Sequence, residues 1–153
     1  MEGVIITPLK QIYHPKGDVF HAIKSFDLGF EGFGEAYFSS IKGGLTKAWK
    51  RHSRMTLNLV CIVGKIHFVL YDEREQSASF GEYMEVTLSP ESPETYRRLT
   101  IPPNVWMAFT GIAEEKSILL NVANIPHDPN EQENIPIEES HIKFDFTKID
   151  LSK

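Results

Sequence analysis

Short apolar runs with alternating polar positions recur along the chain, and they predict a protein built from β-strands. Each run is rich in β-branched and aromatic residues and is bounded by glycine, proline or polar residues. No segment sustains the 3.6-residue period of an amphipathic helix. Strands recurring roughly every 8–12 residues are typical of an antiparallel sandwich or barrel. The predicted strands cover residues 4–6, 33–39, 56–63, 65–71, 82–88, 98–101, 106–109, 116–123 and 142–149.

The segments between these runs predict how the strands connect. Gly64 alone separates residues 56–63 from 65–71, so this pair predicts a short hairpin. Ser92 and Pro93 predict a turn, with at most one helical turn capped by the serine. Residues 124–140 are acidic and rich in proline and asparagine, and they predict a long loop.

A cationic stretch at residues 47–54 leads directly into an apolar strand. Alternation along a strand would place Lys50, His52 and Arg54 on one face and Trp49 and Arg51 on the other. Because the stretch runs into the core, we expect its cations at the mouth of the barrel, where ligands bind. A solvated surface strand is the alternative.

Composition narrows the function classes. The 153 residues carry a net charge of −5 with a pI near 5.7, which disfavours nucleic acid as a partner. Cys61 is the one cysteine and is predicted to be a small buried hydrophobe, so no disulfide or cysteine zinc site is expected. No apolar run approaches the ~18 residues of a membrane span, and the N-terminus lacks a signal-peptide pattern. We predict a single-domain cytoplasmic protein without a membrane partner.

Four motifs in a fixed order relate the chain to a known family. They are Gly44-Leu-Thr-Lys-Ala-Trp-Lys, Val63-Gly-Lys-Ile with Tyr71-Asp-Glu-Arg, Phe80-Gly-Glu, and Ile101-Pro-Pro-Asn-Val-Trp. With this order and spacing, residues 17–146 resemble the dTDP-4-dehydrorhamnose 3,5-epimerase-like cupins, in particular a divergent branch with a Trp-Lys-Arg-His motif. The resemblance implies an all-β double-stranded β-helix (jelly roll). It also implies a homodimer that acts on a nucleotide-linked 4-keto sugar, with dTDP as the expected nucleotide, in surface-polysaccharide assembly.

The family chemistry is proton abstraction beside a ketone, with the enolate oxygen held by cations and an acid on the opposite face. Here the family's Arg-Gly-Leu-His motif falls on residues 47–50, so Lys50 occupies the place of the catalytic histidine. The acid tyrosine falls near Leu120, where no proton donor exists, and the carboxylate that orients the histidine maps to Glu139. Without the acid phenol, we predict that any inversion is restricted to one carbon.

These departures leave two interpretations open, an epimerase or isomerase with altered residues and a non-catalytic sugar-nucleotide or carbohydrate binding module. We favour the enzyme because Lys50, His52 and Arg54 persist as a cluster. His52 titrates near neutrality and is the better candidate base. Lys50 would act as a base if burial and neighbouring cations lower its pKa, or as a cation that holds the enolate oxygen.

The remaining candidates complete the predicted site. Tyr37 is the nearest replacement phenol for acid–base work, and Glu139 joins the catalytic set by the resemblance. The guanidinium groups of the arginines, each with several N–H donors, suit a diphosphate. The tryptophans either stack on a nucleotide base or sugar or belong to the core. The predicted substrate-binding residues are Lys47, Arg51, Arg54, Glu35, Trp49 and Trp106.

A metal site is not expected. The metal-binding motif of other cupins needs His-x-His with a later glutamate, whereas this chain reads Lys50-Arg51-His52. Their second motif needs a histidine where Met107 follows Trp106. One candidate ligand remains, too few for zinc or iron. We therefore predict neither metal nor cofactor. For His67, we favour a structural role over a functional one.

Overall fold

The computed structural model describes residues 1–152, which form twelve β-strands and three short 3₁₀ helices. The strands are β1 (Ile5–Pro8), β2 (Gln11–Ile12), β3 (Val19–Phe20), β4 (Glu35–Ile41), β5 (Thr46–His52), β6 (Leu57–Val63), β7 (Ile66–Asp72), β8 (Tyr83–Leu88), β9 (Arg97–Ile101), β10 (Val105–Gly111), β11 (Ser117–Ala123) and β12 (Gln132–Asn134). The 3₁₀ helices are Pro129–Glu131, Ile137–Glu139 and Phe146–Lys148.

Two five-stranded antiparallel sheets form the body of the molecule. The first sheet has the order β1-β9-β6-β11-β4, the second has the order β12-β5-β10-β7-β8, and β2 and β3 pair separately. The crossovers between non-consecutive neighbours are those of a jelly roll, and all strand pairs are antiparallel. The predicted all-β jelly roll is confirmed.

The main core lies between the two sheets and follows from the alternation along the strands. Leu57, Leu59 and Cys61 of β6 belong to the same buried cluster as Phe68 and Leu70 of β7. Each fully buried side chain of this size stabilises the fold by about 1.5–3 kcal/mol. Burial also raises the pKa of the Cys61 thiol to about 12, so this cysteine is inert, as its sequence context predicts.

A second apolar cluster lies on the outer face of the second sheet. Trp49 and Trp106 are both almost fully buried there, and Ile142, Phe144 and Phe146 pack against them. Residues 142–149 therefore alternate because they cover a sheet, and the predicted strand over them is wrong. In the part of the chain that the structure describes, no strand pairs with them, and a 3₁₀ turn forms at Phe146–Lys148.

The predicted hairpin at Gly64 is also wrong. β6 pairs with β9 and β11, whereas β7 pairs with β8 and β10, so the chain passes from one sheet to the other at Gly64. The backbone groups of the connection bind Ser89 and Ser117 instead of each other. Gly64 has a φ of 76°, and a Cβ there would lie 2.4 Å from Ser117 Oγ, which explains the glycine. The Ser92 segment is a hydrogen-bonded turn without a helix.

The segment from residue 21 to residue 29 covers the outer face of the first sheet. Arg98, fully buried on β9, anchors it by donating to the carbonyl oxygens of Ala22 and Leu28 and to the carboxylate of Asp27. A buried guanidinium requires such a set of acceptors. Within residues 1–152, no helix is long and apolar enough to cross a membrane.

Candidate functional site

A cavity of about 400 Å³ lies between the inner faces of the two sheets, at the edge where β4 and β5 run. This volume falls in the range of small-molecule sites. Its walls combine an apolar lining with a few polar side chains, and both sheets contribute. From the second sheet and its edge strand come Thr46, Ala48, Lys50, His52, Met107, Phe109 and Asn134; from the first sheet come Tyr37, Ser39, Leu57, Leu59, Leu119 and Asn121.

His52 and Glu131 form a buried pair at one end of this cavity. The imidazole Nδ1 contacts Glu131 Oε1, and both side chains are nearly inaccessible to solvent. Glu131 Oε2 accepts from the backbone N–H groups of Arg54 and Met55, at 3.1 and 3.2 Å. β12 follows Glu131 directly and pairs with β5, which brings the carboxylate beside the ring.

This arrangement fixes the protonation of the pair. Burial would raise the pKa of Glu131, but the hydrogen bonds from His52 and from the Arg54 and Met55 N–H groups together lower it. An ionised carboxylate only accepts hydrogen bonds, so Nδ1 of His52 carries the proton and Nε2 keeps a free lone pair. Burial lowers the pKa of His52 below its usual 6.5, although Glu131 opposes this shift. The imidazole is therefore a neutral base at pH 7.

Lys50 lies two residues before His52 on the same inward face of β5. Its side chain is half-buried, and burial lowers its pKa, while the charge of Glu131 acts in the opposite direction. Met107 and Asn134 are its partners on the neighbouring strands. An ammonium group beside the base can hold an oxygen on which negative charge develops.

Tyr37 and Asn121 line the opposite wall. They are paired across β4 and β11, and Asn121 Nδ2 donates to the phenol oxygen at 3.0 Å. Leu120, on which the family's acid tyrosine was expected to fall, points to the other face of β11. Asn121 is the inward residue at this position.

The structure thus brings three predicted catalytic residues, Lys50, His52 and Tyr37, to one cavity. It does not bring Glu139 there. Glu139 lies exposed in the 3₁₀ helix Ile137–Glu139, and Glu131 contacts the histidine instead, so that assignment is corrected. Asp128-Pro-Asn-Glu131 has the sequence of a capped turn, with Asp128 accepting from the Asn130 N–H, and this was the available signal for an ordered carboxylate.

The predicted substrate-binding residues divide between the cavity and the outside. Lys47 borders the cavity, donates to the Ser40 carbonyl oxygen at 2.9 Å and lies over the Phe109 ring. Arg54 does not share the face of His52, because β5 ends at His52. Its exposed guanidinium pairs with Asp128 at 3.0 Å. Glu35 begins β4 outside the cavity wall.

The side chains of Arg51, Trp106 and Trp49 face away from the cavity, so the structure does not bring these three predicted substrate-binding residues to the candidate site. The Arg51 guanidinium stacks 4.5 Å from the Trp106 ring centre and pairs with Glu133 at 2.8 Å. The backbone of Trp49 reaches the cavity border, but its ring packs in the outer cluster against Phe146. These residues support β5 from behind, as the core alternative predicted for the tryptophans.

The other histidine considered from the sequence has local partners. His67 lies on the outer face of β7 and contacts Thr87 Oγ1 at 2.9 Å and Glu85 Oε2 at 2.7 Å. Among residues 1–152, no group of three histidine, cysteine or acidic side chains is placed to hold a metal ion.

The jelly roll with a cavity between its sheets defines the protein as a cupin. A histidine–carboxylate pair and a lysine lie at this cavity, where a ligand would bind. Within the cupins, the chain belongs to the dTDP-4-dehydrorhamnose 3,5-epimerase family, which residues 41–153 match. The predicted resemblance is confirmed. The comparisons also bear out the predicted function class, an epimerase- or isomerase-like protein of polysaccharide biosynthesis, and do not favour the binding module.

Relatives with sequence and structural similarity support this assignment. The probable low-salt glycan biosynthesis epimerase Agl13 of Haloferax volcanii is 30% identical over 114 residues, 72% of this chain and 71% of that protein. The dTDP sugar isomerase of Desulfovibrio desulfuricans G20 is 40% identical with a TM-score of 0.92, over 99% of this chain and 95% of the other. The Legionella pneumophila epimerase RmlC, in complex with dTDP-4-keto-L-rhamnose, shares the fold at 19% identity and a TM-score of 0.76, over 90% of this chain and 74% of the other.

Proposed function

We propose that the protein epimerises or isomerises a nucleotide-linked 4-keto-6-deoxy sugar, with His52 as the base. The buried His52–Glu131 pair in the cavity is the observation that carries this proposal. When a carboxylate binds the Nδ1–H of a neutral imidazole, its Nε2 is suited to remove a proton from the carbon next to a ketone.

Each polar residue at the cavity has a separate role in the proposed reaction. His52 Nε2 takes the proton from the carbon, the C–H electron pair forms the enolate double bond, and charge moves to the carbonyl oxygen. Lys50 stabilises that oxygen, and Glu131 stabilises the imidazolium that forms. The proton returned to carbon determines the product, and Tyr37 remains the proposed donor.

The proposed substrate is a dTDP-sugar in polysaccharide biosynthesis. The relatives support it, because one is a dTDP sugar isomerase, one is a probable glycan biosynthesis epimerase, and one binds dTDP-4-keto-L-rhamnose. Lys47 at the border of the cavity offers a cation for the diphosphate. We propose a cytoplasmic location, since sugar nucleotides are soluble cytoplasmic metabolites.

We also propose a homodimer. Four large apolar side chains between residues 26 and 38 are strongly exposed, from 63% to 82%: Phe26, Leu28, Phe33 and Phe38. A second copy that covers them would remove this surface from water. Light scattering should give twice the chain mass for the protein and the monomer mass for a Phe26→Ser/Phe33→Ser variant. A monomeric parent protein would contradict the proposal.

Incubation with dTDP-4-keto-6-deoxyglucose in deuterated water tests the function. We expect deuterium on a carbon next to the ketone, seen by mass and NMR, together with a product that is an epimer or a shifted ketone. Tight binding of dTDP and of the sugar nucleotide without any exchange would contradict catalysis and would favour a binding module.

A further inference from the structure

Asn121 is held on both sides of its side-chain amide. It is 2% exposed and lies on β11 between Tyr37 of β4 and Leu59 of β6. Its Oδ1 accepts from the backbone N–H of Asn58 at 3.1 Å, and its Nδ2 donates to Tyr37 Oη at 3.0 Å.

The backbone partner identifies the two ends of the amide. The N–H of Asn58 only donates, so the Asn121 atom that faces it must be the oxygen, and the NH₂ group must face Tyr37. The phenol oxygen is therefore an acceptor in this contact. Its own proton is not used by Asn121 and is available to the cavity that Tyr37 lines.

Tyr37 and His52 line the cavity from opposite sheets. β4 and β11 belong to the first sheet, and β5 belongs to the second, so a sugar ring between them presents one face to each wall. Lys50 is on the same strand as His52. Thr46 lies at the other end of that strand, and its hydroxyl oxygen is hydrogen-bonded to the hydroxyl oxygen of Thr110 at 2.7 Å. Tyr37 is the phenol of the cavity wall within the described residues.

We propose that Asn121 is a positioning residue that fixes the polarity of the Tyr37 hydroxyl, so that Tyr37 protonates the face of the sugar opposite His52. The reaction then inverts the carbon from which His52 took the proton. This inference rests on the proposed function and narrows it to epimerisation.

The step is balanced in protons and electrons. His52 Nε2 removes the hydrogen from one face, and the enolate that forms takes the Tyr37 hydroxyl proton at the same carbon from the other face. The phenolate is stabilised by the Asn121 NH₂ group until it recovers a proton from water. The imidazolium releases its proton to water, and no oxidant or cofactor is required.

Asn121→Asp and Tyr37→Phe test this role. The aspartate keeps an oxygen for the Asn58 N–H but replaces the NH₂ group with an acceptor, which draws the phenol proton away from the cavity. Asn124→Asp is the matched control, because Asn124 Oδ1 also accepts a backbone N–H, that of Thr56, outside this cavity. Circular dichroism and thermal unfolding of each variant monitor folding.

Two quantities from one incubation in deuterated water distinguish the steps. The first is deuterium in recovered, non-inverted substrate, which needs only His52. The second is the amount of inverted product, which needs the donor on the opposite wall. We expect both test variants to retain exchange into the substrate while inverted product falls about 10²-fold or more, the usual contribution of a general acid. Asn124→Asp should match the parent protein in both.

Each other outcome has a defined meaning. Undiminished inversion by Tyr37→Phe overturns the donor, and undiminished inversion by Asn121→Asp overturns the positioning role. A parent protein that exchanges hydrogen but shifts the ketone without inverting a carbon overturns this inference and leaves the proposed function standing. A parent protein that exchanges nothing contradicts the proposed function, and the inference falls with it.

Discussion

Glu131 contacts the Nδ1 of His52 across 79 positions of sequence. Through its other oxygen, the same carboxylate accepts the N–H groups of Arg54 and Met55, where the chain leaves β5. One acidic side chain thus orients the proposed base and also holds the backbone that follows it. The pair connects the stability of this end of the cavity with its chemistry.

Replacement of this carboxylate should affect activity and stability together. We expect Glu131→Gln to lower kcat about 10²-fold, because a neutral amide cannot stabilise the imidazolium. It should lower the free energy of unfolding by about 1–3 kcal/mol, because buried hydrogen bonds lose their ionised acceptor. Turnover and urea unfolding measure the two effects. Glu133→Gln, on exposed β12, is the control, and equal effects of both variants would contradict the role of Glu131.

The pH dependence of the rate should follow His52. Since burial lowers the pKa of His52 below 6.5, kcat/KM should be constant near pH 7 and should fall only at pH values below about 6.5. A rate profile from pH 4.5 to 8 measures this limb. An acid limb centred above pH 7 would contradict a buried neutral imidazole.

The stability of the fold should also decrease as the pH is lowered. The unfolded chain binds a proton on His52 below about 6.5, and the folded protein does not, so the free energy of unfolding decreases as the pH falls through this range. Glu131 adds a loss at lower pH, because its pKa is lowered from 4.5 and its stabilising charge disappears only below that value. Urea unfolding at a series of pH values measures these losses, with His52→Asn and Glu131→Gln alongside to assign each to its residue. A flat profile in the parent protein would contradict them.

Lys50 should matter for turnover and little for folding. Lys50→Met keeps the length of the side chain but removes the cation, and we expect kcat to fall about 10²–10³-fold, as when one stabilising donor of an oxyanion is lost. Unfolding should change little, since the half-buried ammonium makes no ion pair within residues 1–152. Lys65→Met, which removes a surface pair with Glu91, is the control. Full activity of Lys50→Met would rule out its role at the enolate oxygen.

Arg98 should matter for folding alone. It is fully buried and ties the segment from residue 21 to residue 29 to β9 through three acceptors. Arg98→Met removes the guanidinium donor from the Ala22 and Leu28 carbonyl oxygens and leaves the Asp27 carboxylate without its cation, so we expect a loss of about 3–5 kcal/mol in the free energy of unfolding. Chemical denaturation measures it, with Arg97→Met as the neighbouring control. A loss no larger than that of the control would contradict the anchoring role.

The sequence predicts the parts of the site that are local. Period-two alternation places Lys50 and His52 on one face of β5, and both line the cavity. The alternation fails for Arg54 because the strand ends at His52, where Glu131 binds the following N–H groups. Alternation predicts which side chains share a face only within one strand. The sequence around residue 52 carries no signal that β5 ends there, so the position of Arg54 could not be predicted.

The rest depends on pairing between distant segments. Glu131 and Glu139 are two of the five acidic residues in segment 124–140, and only the register of β12 on β5 brings Glu131 beside His52. In the same way, the apolar runs on either side of Gly64 predict two strands but not their partners, which lie in different sheets. Alternation over residues 142–149 indicates an apolar face, and a covering segment satisfies it as well as a strand does.

The central claim is that His52 moves the proton. The most direct measurement is deuterium incorporation into dTDP-4-keto-6-deoxyglucose by His52→Asn, compared with His67→Asn on the outer face of β7. Asparagine at position 52 can still donate to Glu131, so folding should persist. We predict that exchange is abolished in His52→Asn and unchanged in His67→Asn. Exchange by a folded His52→Asn variant at the rate of the parent protein would contradict the claim.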